Sequence, residues 1–420
     1  MLKLPKHLDA EILLGKDSSI RFKSTDNSNP EQKIRFTDSF TGHVWGFLVI
    51  DDTRRGPAIG GIRIAQDLSL DEMSRLAYSM TLKTSAACLS FGGGKAGLIA
   101  NPILLRREPQ LRSDLMALFA EALFPFDNYI AAPDMGTDEH DVQQIYEYNS
   151  KLLGKTSHTR GGVGREAHWG GIPIDEWGLT AHGLIAAITT LEAFESKIKI
   201  NDAHVVVQGY GNVGASTASK LVAEGAIIVG ASDINAGLWE PTGLDIVQLN
   251  AIRNTVGGLS NYNGKVEKHF NSNQVDWLLE APCDILVPAA RPNAITARNA
   301  DRVQCKVILQ GANTPVNKMT EYYLSNRRGI TSLSDFIVNS GGVIGCAVEL
   351  AIMADADFKK KVESEGVRLY TEKLIKEIIS KNVIQVLSQI IAKGGTDTFF
   401  REEGMELTQK RLRNPGNTWL

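Results

Sequence analysis

The stretch Val205-Val206-Val207-Gln208-Gly209-Tyr210-Gly211-Asn212-Val213-Gly214 decides the fold. Residues 203–208 form an apolar run of strand length, Gly209, Gly211 and Gly214 give GxGxxG spacing, and 215–221 resume with helical residues. A second strand over 226–231 then ends at Asp233. Gly209 permits a tight turn, Gly211 lets backbone approach a pyrophosphate, and Gly214 brings the helix close to the sheet. The helix N-terminus supplies the anion site. GxGxxG alone is an ordinary loop; with strand, helix and acid in order it predicts a nucleotide-binding Rossmann unit. An acid at Asp233 accepts both hydroxyls of an adenosine ribose and repels a 2′-phosphate, which favours NAD over NADP. Two alternatives stay open: Asp233 only starts the turn that follows it, or Arg253 or Lys265 folds back toward a phosphate, so that NADP is also used.

The rest of the chain fits a multidomain globular protein. It has 420 residues, 43% hydrophobic and 22% charged, with a formal net charge of −3, which suggests two or three domains. Dispersed lysines and arginines under a net negative charge argue against a nucleic-acid partner. No stretch has the uninterrupted apolar length of a membrane span, since the longest candidate, 343–354, contains Glu349; the N-terminal residues lack an apolar signal core. Cys88, Cys283, Cys305 and Cys346 are far apart and form no CxxC pair, which fits reduced thiols in a cytoplasm. Eight histidines show no HExxH-like spacing, so no metal site is expected.

Outward from the fingerprint, residues 34–50 read as a hairpin turning at Thr41-Gly42. Ser69 with Glu72 forms a capping-box signature for a helix reaching about residue 88. Further helices fit 113–124, 138–148 and 177–194. Strands at 284–289 and 305–309 alternate with a helix at 318–325, and this rhythm calls for a mostly parallel sheet. Helices then cover the region around Glu349, 368–379 and 383–392. The expected fold is α/β with an N-terminal α/β domain (1–175), a Rossmann NAD-binding domain (176–340) and a helical tail (341–420).

Two lysines stand where apolar or small residues dominate. Lys83 lies on or beside the apolar face formed by Met73, Leu76, Ala77, Met80, Thr84 and Ala87; buried there it needs a partner, unless it snorkels to solvent. Lys95 lies in Phe91-Gly92-Gly93-Gly94-Lys95-Ala96-Gly97, which reads as a glycine-rich turn where backbone approaches a ligand. It lacks P-loop spacing. Asp134 directly precedes the helix opened by Asp138 and Glu139, where it is either a turn residue or a third functional charge.

With these segments the sequence resembles the glutamate/leucine/phenylalanine/valine dehydrogenases. The resemblance rests on Gly56-Pro57-Ala58-Ile59-Gly60-Gly61-Ile62-Arg63, Met80-Thr81-Leu82-Lys83-Thr84, Gly92-Gly93-Gly94-Lys95-Ala96-Gly97 and Ala132-Pro133-Asp134-Met135-Gly136-Thr137. It continues in order through Thr180-Ala181-His182-Gly183, the fingerprint, Cys283-Asp284-Ile285-Leu286-Val287-Pro288-Ala289-Ala290, Gly311-Ala312-Asn313-Thr314-Pro315 and Asn339-Ser340-Gly341-Gly342-Val343, spanning about 56–350. The resemblance implies reversible oxidative deamination of an L-α-amino acid to a 2-oxo acid and ammonia, in a cleft between the domains of a homo-oligomer, with 1–175 as an N-terminal α/β substrate and assembly domain and the helical tail packing back toward it. By the same token Lys83 would bind the substrate α-carboxylate, Lys95 would be the general acid/base that activates water, with Lys83 as the nearby cation that depresses its pKa, and Asp134 would shuttle protons. Ile59, Gly60, Gly61, Val343 and Cys346 would line the substrate site; Thr180 and Asn212 would meet the nicotinamide carboxamide. Asn313 and Asn339 would lie near the ribose and substrate, and Val213 and Ala289 beside the cofactor.

The side chain of the substrate is read from two departures. Glutamate-specific members usually carry a lysine at the position of Ile59 and a serine at that of Cys346, so an uncharged substrate, leucine-, valine- or phenylalanine-like, is expected. The alternative is a glutamate dehydrogenase whose carboxylate partner has moved, for instance to Arg63; a non-catalytic sensing or assembly protein on the same fold is a third. Thr84 stands where the family usually has asparagine, and the family's Gly-Arg segment is displaced, with elements of 161–166 as its substitute.

Overall fold

The computed structural model describes residues 4–14, 30–154, 162–195, 197–271, 275–395, 397–416 and 418. Two compact units result: Met1–Pro173 with Val343–Val367 and Arg411–Leu420, and Ile174–Gly342 with Arg368–Lys410. The expected single tail is therefore divided. Its stretch 368–410 joins the second unit because the long helix Val367–Ala392 packs on the helix Leu179–Phe194 there: a Cβ on Gly183 would meet Ile379 Cδ1 at 2.6 Å, and Thr190 Oγ1 donates to Ser380 Oγ at 2.8 Å. The two helices expected over 368–379 and 383–392 are one, since Asn382 is buried within it rather than breaking it.

In the first unit, β1 (Leu8–Leu14), β2 (Gln32–Asp38), β3 (Val44–Asp52), β4 (Ala58–Ala65), β5 (Gly92–Ile99) and β6 (Tyr129–Pro133) form a sheet in the order β1-β2-β3-β5-β4-β6. Pairs β1–β2, β2–β3 and β3–β5 are antiparallel, while β4 lies parallel to both β5 and β6. Period-two alternation splits β4 into two faces. Ala58, Ile62 and Ile64 join Phe36, Leu48, Leu98 and Phe119 in one buried cluster, with Phe36 and Phe119 edge to face at 5.3 Å. Ile59, Gly61 and Arg63 point the other way. Each large apolar side chain buried like this contributes about 1.5–3 kcal/mol.

The segment around Lys95 is a strand, β5, rather than a turn. Its glycines are needed for packing: a Cβ on Gly93 would lie 2.1 Å from Thr81 N, and one on Gly60 of β4 would lie 1.8 Å from Gly94 O. Thr81 belongs to the helix Leu70–Ala86, which Ser69 caps by accepting from Glu72 N at 3.2 Å. Glu72 does not complete the expected capping box, because its carboxylate is drawn to Arg63.

The second unit holds β7 (His204–Gln208), β8 (Ile227–Ser232), β9 (Ala236–Trp239), β10 (Lys268–Asn271), β11 (Ile285–Pro288), β12 (Val307–Leu309) and β13 (Thr331–Leu333). Their order is β10-β9-β8-β7-β11-β12-β13, parallel from β8 to β13, with β9 and β10 added antiparallel. Strand order reverses between β7 and β11, and a crevice outside the carboxyl ends of strands at such a point is where α/β sheets bind ligands. One helical stretch, Asp335–Ala354, has the length and mean hydropathy (1.8) of a membrane span, but it contains Asp335 and Glu349, and 78% of its most apolar window is buried inside the protein.

Candidate active site

In the first unit β4, β5 and the loop after β6 converge on one buried ion cluster. Lys95 Nζ lies 2.9 Å from Asp134 Oδ2, and Arg63 Nε donates to the same oxygen at 3.0 Å. Arg63 Nη1 donates to Glu72 Oε1 at 2.7 Å. Gly61 makes the meeting possible, since a Cβ there would lie 2.6 Å from Asp134 Cβ and 3.2 Å from Lys95 Nζ. Asp134 is more than a turn residue: Thr137 holds its backbone, accepting from Asp134 N at 2.9 Å and donating to Ile62 O at 2.7 Å.

The electrostatics follow from burial. Lys95 is 3% exposed. Burial pulls its ammonium below the ordinary lysine value; Asp134 opposes that shift and Arg63 adds to it. Burial alone would raise the Asp134 carboxyl, but Lys95 and Arg63 together hold it well below the usual carboxylate range. Arg63 is thus the cation at the Lys95–Asp134 pair, the place sequence reading gave to Lys83. Lys83 itself is buried in the last turn of its helix, at 7% exposure, so it does not snorkel out.

Ile59 is fully buried on the face that carries Gly61 and Arg63, in register with Gly93 and Ile130. Gly60 O accepts from the buried Tyr129 hydroxyl at 2.6 Å. Val343 and Cys346 are buried in the helix Gly341–Ala354, where burial pushes the Cys346 thiol well above its ordinary value. Three residues on, Glu349 accepts from Arg165 Nε (2.8 Å), Gly164 N (2.9 Å) and Ile172 N (2.8 Å). The expected substitute segment 161–166 is therefore anchored to this helix, apart from Gly161, which lies outside the described residues.

The nucleotide residues gather at the carboxyl ends of β7, β11 and β12 in the second unit. Gly209 has φ +94°, and a Cβ on it would meet Ala290 N at 2.6 Å. A Cβ on Gly214 would lie 2.0 Å from Gly209 O, whereas around Gly211 nothing comes within 4 Å. An open position at the N-cap of the helix Asn212–Ala223, between two crowded ones, is a cradle that fits a dinucleotide pyrophosphate. A Cβ on Gly311 would touch Ala289 Cβ at 3.0 Å and Val213 Cγ1 at 3.4 Å. Asn339 Nδ2 donates to Gly311 O and Ala312 O, both at 3.2 Å, beside the half-buried Asn313. Thr180 is half-buried, its Oγ1 3.2 Å from where a Cβ on Gly342 would sit. Asn212 Nδ2 donates to Asp175 Oδ2 at 2.8 Å, and Arg253 Nη1 donates to Asn212 Oδ1 at 3.2 Å. Lys265 turns instead to Glu240, at 3.3 Å.

Asp233 fills the turn role. Its Oδ1 accepts from Asn235 N (2.7 Å) and Ala236 N (2.8 Å), and its Oδ2 from Leu259 N (2.8 Å) and Asn235 Nδ2 (3.4 Å). A carboxylate has about four acceptor positions, and here they are taken by the protein's own groups. Sequence reading missed Asp175 and Thr137, and used Arg63 and Glu72 in other roles. The signal for Arg63 was its spacing of two from Gly61 in a strand, which puts both on one face.

A model of the Glutamate/Leucine/Phenylalanine/Valine dehydrogenase family matches residues 170–395, and one of the Glu/Leu/Phe/Val dehydrogenase dimerisation domain matches 30–151. The NADP-specific glutamate dehydrogenase of Saccharolobus shibatae is 32% identical over 341 residues, 79% of this chain and 78% of that protein. The catabolic NAD-specific glutamate dehydrogenase RocG of Bacillus subtilis is 32% identical over 300 residues, 69% of this chain and 66% of its own. Among solved structures, a hetero-hexameric glutamate dehydrogenase from Thermus thermophilus in a Leu-bound form superposes with a TM-score of 0.74 at 24% identity, covering 98% of this chain and 89% of that one.

Proposed function

The chain belongs to the Glu/Leu/Phe/Val dehydrogenase family, and from that premise we propose that it catalyses reversible oxidative deamination of an L-α-amino acid with an uncharged side chain. It is an NAD(P)-dependent oxidoreductase acting on CH–NH2 donors. The 209–214 cradle would hold NAD(P), which would supply the acceptor for the hydride of the substrate Cα. Lys83 binds the substrate α-carboxylate. Lys95, in its neutral form, takes a proton from the water whose oxygen attacks the iminium carbon. Asp134, an ionised acceptor hydrogen-bonded to Lys95, takes a proton from the substrate ammonium before hydride leaves Cα and returns it to the amino nitrogen of the carbinolamine; the C–N bond then breaks as Asp134 accepts the carbinolamine hydroxyl proton, releasing ammonia and the 2-oxo acid. Arg63 keeps Asp134 ionised and in place.

The observation that carries the side-chain preference is the commitment of Arg63. A glutamate enzyme built on Ile59 and Cys346 needs a relocated cation, and Arg63, the nearest candidate in sequence, already serves Asp134 and Glu72. A substrate carboxylate against Ile59 would be buried without compensation. The competing substrate is glutamate, favoured by the names of the relatives at 32% identity. NADH formation from each of the twenty amino acids, with 2-oxo acid plus ammonia as the reverse check, decides between them. Turnover of glutamate above every apolar amino acid refutes the preference, and no turnover at all refutes the reaction. The matched dimerisation domain supports a homo-oligomer, and four free cysteines fit a cytoplasmic site.

A further inference from the structure

We propose that Arg401, in the helix Phe400–Arg413, is a positioning residue for dinucleotide binding: through Asp335 it holds the segment 311–314 in the shape that borders the nucleotide cradle. The inference rests on the proposed function in taking that cradle as the cofactor site. Arg401 is 7% exposed, with its guanidinium stacked over the Phe336 ring at 5.4 Å. Its Nε donates to Glu321 Oε1 at 2.8 Å, and its Nη2 to Asp335 Oδ1 at 2.7 Å and Gln310 Oε1 at 3.3 Å. A planar fork satisfies these three acceptors at once, which a lysine ammonium does not do in the same plane.

The network continues to the cofactor side. Asp335 spends its other oxygen, Oδ2, on Thr314 N at 2.9 Å. Thr314 has φ +46°, a left-handed conformation that a β-branched residue holds only when its surroundings impose it. At the other end of the segment Asn339 binds Gly311 O and Ala312 O, and Gly311 abuts Ala289 and Val213, the latter in the first turn of the fingerprint helix. Displacing 311–314 therefore moves atoms directly against the phosphate turn. Glu321 is also satisfied by Gln310 Nε2 (2.5 Å) and Ser334 Oγ (2.8 Å), whereas Asp335 Oδ1 is held by Arg401 while its Oδ2 holds Thr314 N.

The test measures NADH affinity directly, by fluorescence titration, and needs no turnover. Arg401→Lys keeps the charge and loses the fork. It is expected to weaken NADH binding about tenfold and to raise the KM for NAD similarly, while the KM for the amino acid stays within about twofold. Thr314→Gly, which adopts the left-handed conformation freely, is expected to restore at least half of the lost binding energy in the Arg401→Lys background, a rescue that general destabilisation would not allow. Should Arg401→Lys not fold, Asp335→Asn, which removes the charge Arg401 pairs with, is expected to weaken NADH binding in the same selective way. Unchanged NADH affinity in the folded variant, or equal losses for cofactor and amino acid, overturns the proposal. Wild-type protein that binds NADH but deaminates nothing overturns the proposed reaction instead and leaves this comparison intact.

Discussion

Lys95 and Asp134 meet at 2.9 Å through a gap that only glycine at position 61 leaves open. Burial favours a neutral Lys95, while Arg63 on the same carboxylate oxygen keeps Asp134 ionised. The pair thus sets an amine that burial inclines to take a proton beside a carboxylate that is already ionised, so both partners can accept protons from the reacting groups.

Lys95→Ala is expected to lower the deamination rate by at least about 100-fold, the contribution of a positioned general base, with NADH affinity unchanged. In the wild type, kcat/KM for deamination rises with pH as Lys95 loses its proton, and the limb lies below the ordinary lysine value because burial depresses it. Asp134, held low, contributes no limb in that range. Full activity in the alanine variant, or a limb at the ordinary lysine value, removes Lys95 from the proton transfers.

How much of this was legible in the sequence depends on how local the physics is. The fingerprint was legible because Gly209 and Gly214 answer steric demands set within a few residues. Lys95 stands out in the sequence, but its segment reads as a turn and folds as a strand: the reason for Gly93 is Thr81, twelve positions away on a helix, which no local pattern reveals. Asp233 shows the opposite case, where turn chemistry offered a plain reading and the hydrogen bonds of Asn235, Ala236 and Leu259 favour it. Arg401 lies 66 residues from its partner Asp335, and only the tertiary structure joins them.

The cofactor preference is testable at Asp233. Its carboxylate is engaged by backbone N–H groups, yet its place at the end of β8 is expected to disfavour a 2′-phosphate. NAD is expected to exceed NADP in kcat/KM, and Asp233→Ser to narrow that ratio while lowering stability by about 1 kcal/mol through lost acceptors for partly buried donors. A variant that melts earlier but keeps the wild-type ratio assigns Asp233 to the turn alone.

Asp51 makes stability depend on pH. Burial raises its carboxyl to about 7, helped by Asp52 and Glu31 and opposed by the Thr81 hydroxyl, which donates at 2.6 Å, and by Arg54. The unfolded carboxyl titrates near about 3.9, so between there and about 7 the native state retains a proton that the unfolded chain has released. Stability from this group therefore falls as pH rises through that window, by at most about 1.4 kcal/mol per pH unit. Asp51→Asn keeps an acceptor for Thr81 and removes the titration. Thermal melts at pH 5 and 8 should show the variant gaining on the wild type at the higher pH; parallel losses in both proteins would exclude Asp51 as the source.

The proposed side-chain preference is testable at Ile59. It is fully buried on the β4 face it shares with Gly61 and Arg63, and Arg63 is held by two carboxylates of the protein itself. In the wild type apolar amino acids are expected to exceed glutamate in kcat/KM, with modest selection among them, since one methylene is worth only about 1–3 kcal/mol in such a pocket. Ile59→Lys brings in an ammonium that costs the apolar substrates packing and desolvation and offers a glutamate carboxylate its missing partner. The ratio of glutamate to leucine turnover is expected to rise by at least tenfold. If the wild type already prefers glutamate and the lysine leaves the ranking unchanged, the side-chain carboxylate is bound away from Ile59, and the enzyme is a glutamate dehydrogenase with a relocated anchor.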